Sequence, residues 1–405
     1  MEEMCSIPGL VLEEKTEKKR QQKNKMNTKP PHNTVYWLLS LFLTLAAIAA
    51  IGYKWKITQP QYKKDCFPVS NREELEKFLE TRTTIEFKKG RKPFAVPTGL
   101  FIQSFNFKNA NDVNITGYIW MRFPKTLPKD FVKEFIFPEE VDSGTTKTEK
   151  AYTEDQAEHE VIGWYFDVIV RQFFEYTDYP LDSQAIWLRI WSKDLVKDEE
   201  IIIVPDFDAY APKALAANQF GMDVDIVPSG WQVIETFFSY KTIPYDTNFG
   251  LTDTSPNDEY SDFYFNLGVR RNFVDAFIIN LVPLFFVVLL LFALVMTVSG
   301  NKKCKESFGF NALTTIGICA SLLFVVILLH IQVRQQFPGS KLLYIEYFYL
   351  IVYLVNILTA LNSYLFSLDR PGKINIIHFK DNFIPKVSYW PLVLWMMAAV
   401  TWIKL

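Results

Sequence analysis

Four charge-free apolar stretches, near 276–298, 312–329, 347–367 and 388–403, fill the last third of this 405-residue chain. Each is long enough, or nearly so, to cross a hydrocarbon core about 30 Å thick. Inside lipid a segment must satisfy its own backbone hydrogen bonds, so stretches of this kind are confined to helices. Ahead of them lies a hydrophilic segment of about 215 residues that reads as short strands. The chain is therefore expected to have two parts, a strand-rich polar domain followed by a helical membrane domain.

Composition supports the division. With 49% hydrophobic and 16% aromatic residues the chain is too apolar for an ordinary soluble protein, and with 22% charged residues it does not lie wholly in lipid. The net charge of −2 conceals an asymmetry. Residues 57–270 hold 23 Lys/Arg against 35 Asp/Glu, a balance of −12. Of Cys5, Cys66, Cys304 and Cys319, only Cys66 falls in the polar domain, which therefore closes no internal disulfide.

Residues 1–34 contain Pro30-Pro31 and a basic run from Lys15 to Lys29, the composition of a disordered tail. Val35 to Tyr53 is uncharged, and 35–56 is expected to be a membrane anchor whose basic leader stays in the cytoplasm. A cleaved signal peptide with Ala47-Ile48-Ala49 at the cleavage site is the competing reading. The apolar run of about 19 residues is long for a signal core, which favours the anchor. Residues 57–271 are then outside, followed by helices at about 273–298, 310–333, 342–367 and 388–405 in the segment 272–405. Lys302, Lys303 and Lys305 face Glu306 in one inner loop, and Arg370, Lys373, Lys380 and Lys386 face two acids in the other. Both loops are net basic, as cytoplasmic loops are.

In the polar domain, Ser70-Asn71-Arg72-Glu73 has the form of a capping box ahead of Leu75, Phe78 and Leu79, so a short helix is expected there. Alternating patterns then run over 113–122, 164–173, 184–191, 200–204, 231–240 and 260–269. That spacing implies a β-sandwich, immunoglobulin-like, with about ten strands. Asn114-Ile115-Thr116 also fits a glycosylation sequon.

Three groups of residues invite a functional reading. In Tyr179-Pro180-Leu181-Asp182-Ser183-Gln184, Pro180 fixes φ and lacks an N–H, which marks a turn rather than a central strand. Asp182, if near the membrane, wants a cationic partner, and Arg270 is the nearest candidate. On the residues alone, a solvated turn aspartate and a headgroup-facing arginine is the plainer reading of both. Second, Tyr240, Tyr245 and Tyr260 can cup a cation with Trp191 behind them. The plainer alternative is that such rings fill the core. Third, the stretch from Asn311 carries small and hydroxyl residues, and spacing of three and four selects Thr314, Ile318, Ser321, Val325, Leu328 and Gln332 as one water-tolerant face. A shift of one residue substitutes Leu322 for Ser321. Close helix packing is the alternative use of small residues. His330 reads as a packing residue.

The hexapeptide 179–184, with Trp120-Met121-Arg122 on a strand, Ser229-Gly230-Trp231, and Gly268-Val269-Arg270-Arg271 leading into a helix with Pro283, resembles the pentameric ligand-gated ion channels of the Cys-loop receptor superfamily. These matches keep their order and spacing from about residue 70 to the end. Gln172 and Ile186 stand where the loop cysteines of animal receptors would fall, which makes the resemblance one to the prokaryotic branch. The chain departs further in its longer loop between the first two channel helices and in its extra N-terminal membrane helix. It also has Pro338 a few residues beyond the usual proline after the pore helix.

The resemblance implies an extracellular β-sandwich on an all-α four-helix transmembrane bundle, assembled as a homopentamer in a lipid bilayer. A small-molecule or proton agonist would bind at subunit interfaces, with Trp120 and Arg122 from the neighbouring copy, and the 311–333 helix would line the pore. Pro180, Asp182, Arg270 and Pro338 would couple binding to opening. Permeating inorganic ions are implied, and the acidic outer domain leans toward cations. The alternative is a non-conducting receptor or scaffold of the same fold. The expected location is the plasma membrane, or the inner membrane in a bacterium. HExxH, CxxC, GxSxG and phosphate-binding glycine motifs are absent from the sequence, so no enzyme, cofactor, metal site or nucleic-acid partner is expected.

Overall fold

The computed structural model describes residues 32–58, 62, 66–87, 93–141, 144, 146–194, 201–227, 230–248, 250, 259–300, 311–368 and 375–405. In chain order, helix α1 (His32–Ile57) is followed by strand β1 (Phe67–Val69), helix α2 (Arg72–Phe87) and strands β2 (Phe94–Phe107) and β3 (Asp112–Pro124). Strands β4 (Phe135–Ile136), β5 (Lys147–Asp155), β6 (His159–Arg171), β7 (Ser183–Ser192) and β8 (Ile201–Pro205) come next. A single-turn helix α3 (Pro212–Ala216) precedes the paired strands β9 (Trp231–Pro244) and β10 (Glu259–Arg271). Helices α4 (Phe273–Thr297), α5 (Ala312–Gln336), α6 (Tyr344–Ser367), α7 (Asn375–His378) and α8 (Phe383–Lys404) follow. Of these, α1, α4, α5, α6 and α8 are long and apolar enough to cross a membrane.

The strands form two five-stranded sheets, β1-β9-β10-β7-β4 and β5-β6-β3-β2-β8. All pairings are antiparallel except β2 with β8. Period-two burial is clean in β3 and β7. Inward rings join the sheets: Phe135 of β4 meets Trp164 of β6 at 5.2 Å, and Phe238 of β9 meets Phe207, Tyr210 and Phe220. β5 is exposed along its whole length, and its alternating Lys and Glu suit an edge that must not pair with strangers. Asn114 lies in β3, between β2 and β6, with its amide donated to Asp167 (2.7 Å), so the sequon is engaged inside a sheet.

The capping box is displaced by one residue. Arg72 is the first helical residue, so Asn71 is the cap and accepts from the Glu74 N–H at 2.9 Å. The Glu74 carboxylate reaches back to the Ser70 N–H at 2.7 Å. Asn71 and Glu74, not Ser70 and Glu73, cap the helix, with the Glu74 carboxylate taking the N–H one residue before the cap.

The chain divides into two compact units, Met1–Lys54 with Leu290–Cys319 and Leu354–Trp402, and Trp55–Leu289 with Ala320–Tyr353 and Ile403–Leu405. In the first unit, Pro391 lies inside α8 and brings no N–H to the carbonyl one turn before it, that of Val387. The Ser40 hydroxyl of α1 donates to that carbonyl at 2.6 Å. Nearby, the Asp381 carboxylate accepts from the Ser299 hydroxyl and the Gly300 N–H, both at 2.5 Å. The second unit holds both sheets. In α4 a π turn over Phe277–Leu281 follows the first α turn, just before Pro283, where the missing N–H already interrupts the regular ladder. The basic loop residues Lys302, Lys303, Lys305, Arg370 and Lys373, together with Cys5, Cys304 and the tail before His32, lie outside the described residues.

Candidate functional site

The segment between β6 and β7 is held closed by hydrogen bonds. Gln172 donates its side-chain N–H to the Trp187 carbonyl and accepts from the Trp187 N–H at 3.2 Å. Its neighbour Ile186, the second position where a cysteine would fall, is fully buried. Within the segment, Tyr176 donates to the Ala110 carbonyl at 2.9 Å, and the Tyr179–Pro180 peptide is cis. The tip is seated on residues of α4, α6 and the end of α5 within its own unit. The Asn280 amide donates to the Tyr179 hydroxyl at 2.9 Å, and the Tyr344 and Ile345 N–H groups donate to the carbonyls of Thr177 and Tyr179 at 2.7 and 3.3 Å. The Phe337 ring lies 4.6 Å from Tyr176 and 4.7 Å from Tyr179. Phe337 is buried and Pro338 is exposed, so the seat is made by the residue before the expected proline.

Asp182 is 1% exposed and accepts two parallel bonds from Arg271, Nε to Oδ1 at 2.7 Å and Nη2 to Oδ2 at 3.1 Å. This corrects the expected partner, Arg270. Side chains alternate along a strand, so Arg270 and Arg271 point to opposite faces, and β10 keeps an unbroken register against β7 from Phe263 to Arg270. Arg270 pairs across the ladder with Ser183, and its Nε is buried without a partner among the described residues. Arg271 instead lies over the Trp231 ring at 4.1 Å and the Tyr179 ring at 4.9 Å. A bidentate ion pair ringed by aromatic faces is rigid and costly to break.

Asp178 sits one turn away with a different balance. Burial, then the neighbouring Asp182 and Glu175, hold its carboxyl above the ordinary value of 3.8. A carboxyl with a raised folded-state pKa contributes stability in full below its unfolded pKa and loses it as pH rises through the folded value. Asp178→Asn is therefore expected to gain stability over wild type at about pH 7 and to match it below about pH 3.8. Thermal melts of the full chain in detergent at the two pH values test this. An equal offset at both would mean that titration of Asp178 is not the cause.

The aromatic candidates separate into two clusters, each around a buried aspartate that the sequence patterns did not single out. On the second sheet, the Trp120 indole N–H and the Arg122 Nε donate to one oxygen of Asp206, at 2.9 and 2.6 Å. The Trp120 ring lies over Gly99, where any Cβ would strike it at 2.2 Å. On the first sheet, Asp262 accepts from the Trp191 indole N–H (3.1 Å), the Tyr245 hydroxyl (2.7 Å) and Arg189 (3.0 Å). Arg189 also pairs with Glu139, and its guanidinium stands 4.9 Å over the Trp191 ring. The ring face expected to receive a ligand cation is thus occupied from within. Burial raises the Glu139 carboxyl above its ordinary range in spite of Arg189.

Tyr240 is a core residue. It is 2% exposed, stacks on Phe78 at 3.9 Å and donates to the Ile203 carbonyl at 2.8 Å. Its place in β9 shares the inward phase with Phe238, which is why it fills the interior instead of joining Tyr245. Tyr260 pairs with Ile243 in the ladder, and its side chain lies outside the described residues. A groove of about 770 Å³ on the face of β7, β9 and β10 has Glu139 and Arg189 in its wall together with Asp178 and Asp182. The Arg189 cluster and the 172–183 loop therefore open onto one space.

On α5, Thr314, Ile318, Ser321, Val325, Leu328 and Gln332 are all exposed in the single chain, whereas Thr315, Cys319, Val326 and Val333 are buried. Leu322 is half-buried, so the shifted register fits less well. Exposure is wider than one stripe, since Phe324, Ile327 and Ile331 are exposed too. His330 packs, as expected: it stacks on Tyr349 at 5.2 Å and bonds Tyr353 (3.0 Å) and Glu346 (3.1 Å). Glu346 also accepts from Arg334 at 3.3 Å and from the Leu343 N–H at 2.7 Å, which ties the end of α5 to the start of α6. In comparison with known proteins, no family model matches the chain and no curated sequence matches it significantly.

Proposed function

We propose that the chain is one subunit of a homopentameric ligand-gated ion channel in which an extracellular stimulus opens a pore lined by α5. In this reading the two sheets form the extracellular sandwich, α4, α5, α6 and α8 form the membrane bundle, and α1 is an additional anchor. The observation that carries it is the exposed face of α5. Thr314 and Gln332 stand on the outside of a helix otherwise suited to lipid. Hydrocarbon offers such groups no partners, whereas a ring of copies around a shared aqueous axis does. Ile318, Val325 and Leu328 on the same face would then close the path by dewetting. Five copies place one such residue from each subunit at every level.

The bidentate Asp182–Arg271 pair and the loop seated on Asn280, Phe337 and Tyr344 give the sheets a stiff connection to the pore helices. The excess of acids in 57–270 favours cations above the mouth. Native mass spectrometry of the full chain in detergent tests the assembly. The expected species is a pentamer, and a stable monomer or dimer contradicts the pore. For the orientation, a membrane-impermeant thiol reagent on intact cells is expected to reach Cys66 and spare Cys304. The reverse pattern contradicts the proposed topology.

A further inference from the structure

Helix α1 is fastened at both ends by polar contacts that a passive anchor does not need. At its start, Ser40 donates to the Val387 carbonyl (2.6 Å), the acceptor that Pro391 leaves without its helical donor. An unpaired carbonyl inside lipid costs several kcal/mol, so this site on α8 is completed by the hydroxyl from α1. Tyr36 and Trp37 add edge contacts to Phe383 at 5.9 and 6.4 Å. Near its other end, Lys54 lies over the Trp402 ring at 5.4 Å.

The next residue, Trp55, reaches the junction. Its indole N–H donates to the Tyr344 hydroxyl at 2.9 Å, and its ring lies 5.1 Å from Phe273 and 6.5 Å from Phe277 at the start of α4. Tyr344 is 2% exposed, and its own backbone N–H holds the Thr177 carbonyl of the 172–183 loop at 2.7 Å. Beyond the helix, the Tyr62 hydroxyl donates to Glu235 at 2.6 Å and covers Gly268, where a Cβ would meet it at 2.5 Å. Gly268 lies three residues before Arg271 on the same strand. The α1 end and its linker thus touch the two segments that carry the Asp182–Arg271 pair, the 172–183 loop through Tyr344 and β10 through Gly268.

We propose that α1 is retained as a fifth helix of the membrane domain and acts as a strap that holds the 172–183 loop on α6, with Trp55 as the positioning residue. The strap itself does not depend on conduction, so it is tested without a current. Hydrogen exchange is measured on the full chain in detergent for the Tyr344 and Ile345 amides, which donate to the loop. Trp55→Phe, which keeps an aromatic ring and loses the N–H, is expected to speed their exchange about two- to tenfold, the range set by one hydrogen bond. Tyr344→Phe removes the acceptor only and should do the same, with no further gain in the double variant. Tyr53→Ala, on the exposed side of the same turn, is expected to leave them unchanged.

Unchanged exchange in both folded single variants overturns the strap. So does an intact mass or N-terminal sequence showing that the mature chain begins near Ile51. Should the exchange respond while purified protein passes no current, the strap stands and the channel reading fails. Should current flow while exchange is indifferent to Trp55 and Tyr344, the strap fails alone.

Discussion

Asp182→Asn and Arg271→Gln are each expected to lower the stability of the full chain by about 3–5 kcal/mol, the usual cost of stranding one member of a buried ion pair. Asp182 is almost wholly enclosed and Arg271 is 18% exposed, so solvent screens the pair little. Removing Asp182 leaves a guanidinium among the Trp231, Tyr179 and Tyr176 rings without its counter-charge. Removing Arg271 leaves a carboxylate with the Gln184 amide at 3.0 Å and the Asp178 carboxyl nearby. Because each single change already weakens the shared interaction, the double variant should cost less than the sum of the two singles. Contacting groups of this kind typically show a coupling of about 0.5–3 kcal/mol. Arg270→Gln should be mild by comparison and additive with Asp182→Asn. Thermal and denaturant unfolding of the three single and two double variants measures this. Additivity for Asp182 with Arg271, or coupling with Arg270 instead, would place the functional pair elsewhere. If the chain gates a pore, the same cycle read as a shift in opening should also be non-additive.

The second large effect is expected on α5. Replacing Leu328 or Val325 by Ser makes a ring of apolar side chains wettable, and removing one large apolar side chain from a dry contact is worth about 1.5–3 kcal/mol. Opening should become easier by about tenfold or more, seen as basal current or as a lower stimulus for half-opening. The control is the inward face. Val326 is fully buried within the subunit, and Val326→Ser should cost about 1–3 kcal/mol of stability with no comparable gain in opening. Equal behaviour of Leu328→Ser and Val326→Ser would mean that another face, or another helix, lines the path.

The helices were legible because lipid makes a blunt demand, some twenty apolar residues without charge, and α1, α4, α5, α6 and α8 all meet it. Strands with one wet face were legible by alternation, as in β3 and β7. β5 was not, because both its faces are exposed and no period-two signal exists to read. β2 was missed too, since Pro97 and Gly99 interrupt a pattern that its pairing with β3 and β8 overrides. Asp182 was recognisable from its loop, but its partner was off by one residue because Arg270 and Arg271 are adjacent and nothing in the spacing says which of them faces the loop. Tyr240 failed as a ligand residue for a related reason. Alternation says that every second residue of β9 faces inward, but not which ones. The internal cation Arg189 lies in Trp187-Leu188-Arg189-Ile190-Trp191, where charge on a strand reads simply as the wet side.

Single-channel recording of the purified chain in a planar bilayer, under an asymmetric salt gradient and challenged with protons and small amines, tests the proposed pore most directly. A pentameric cation-favouring channel predicts discrete unitary steps with a reversal potential displaced toward the cation equilibrium, and more frequent openings for Leu328→Ser. A bilayer that stays silent for both wild type and Leu328→Ser, with the protein shown to be inserted, would contradict it.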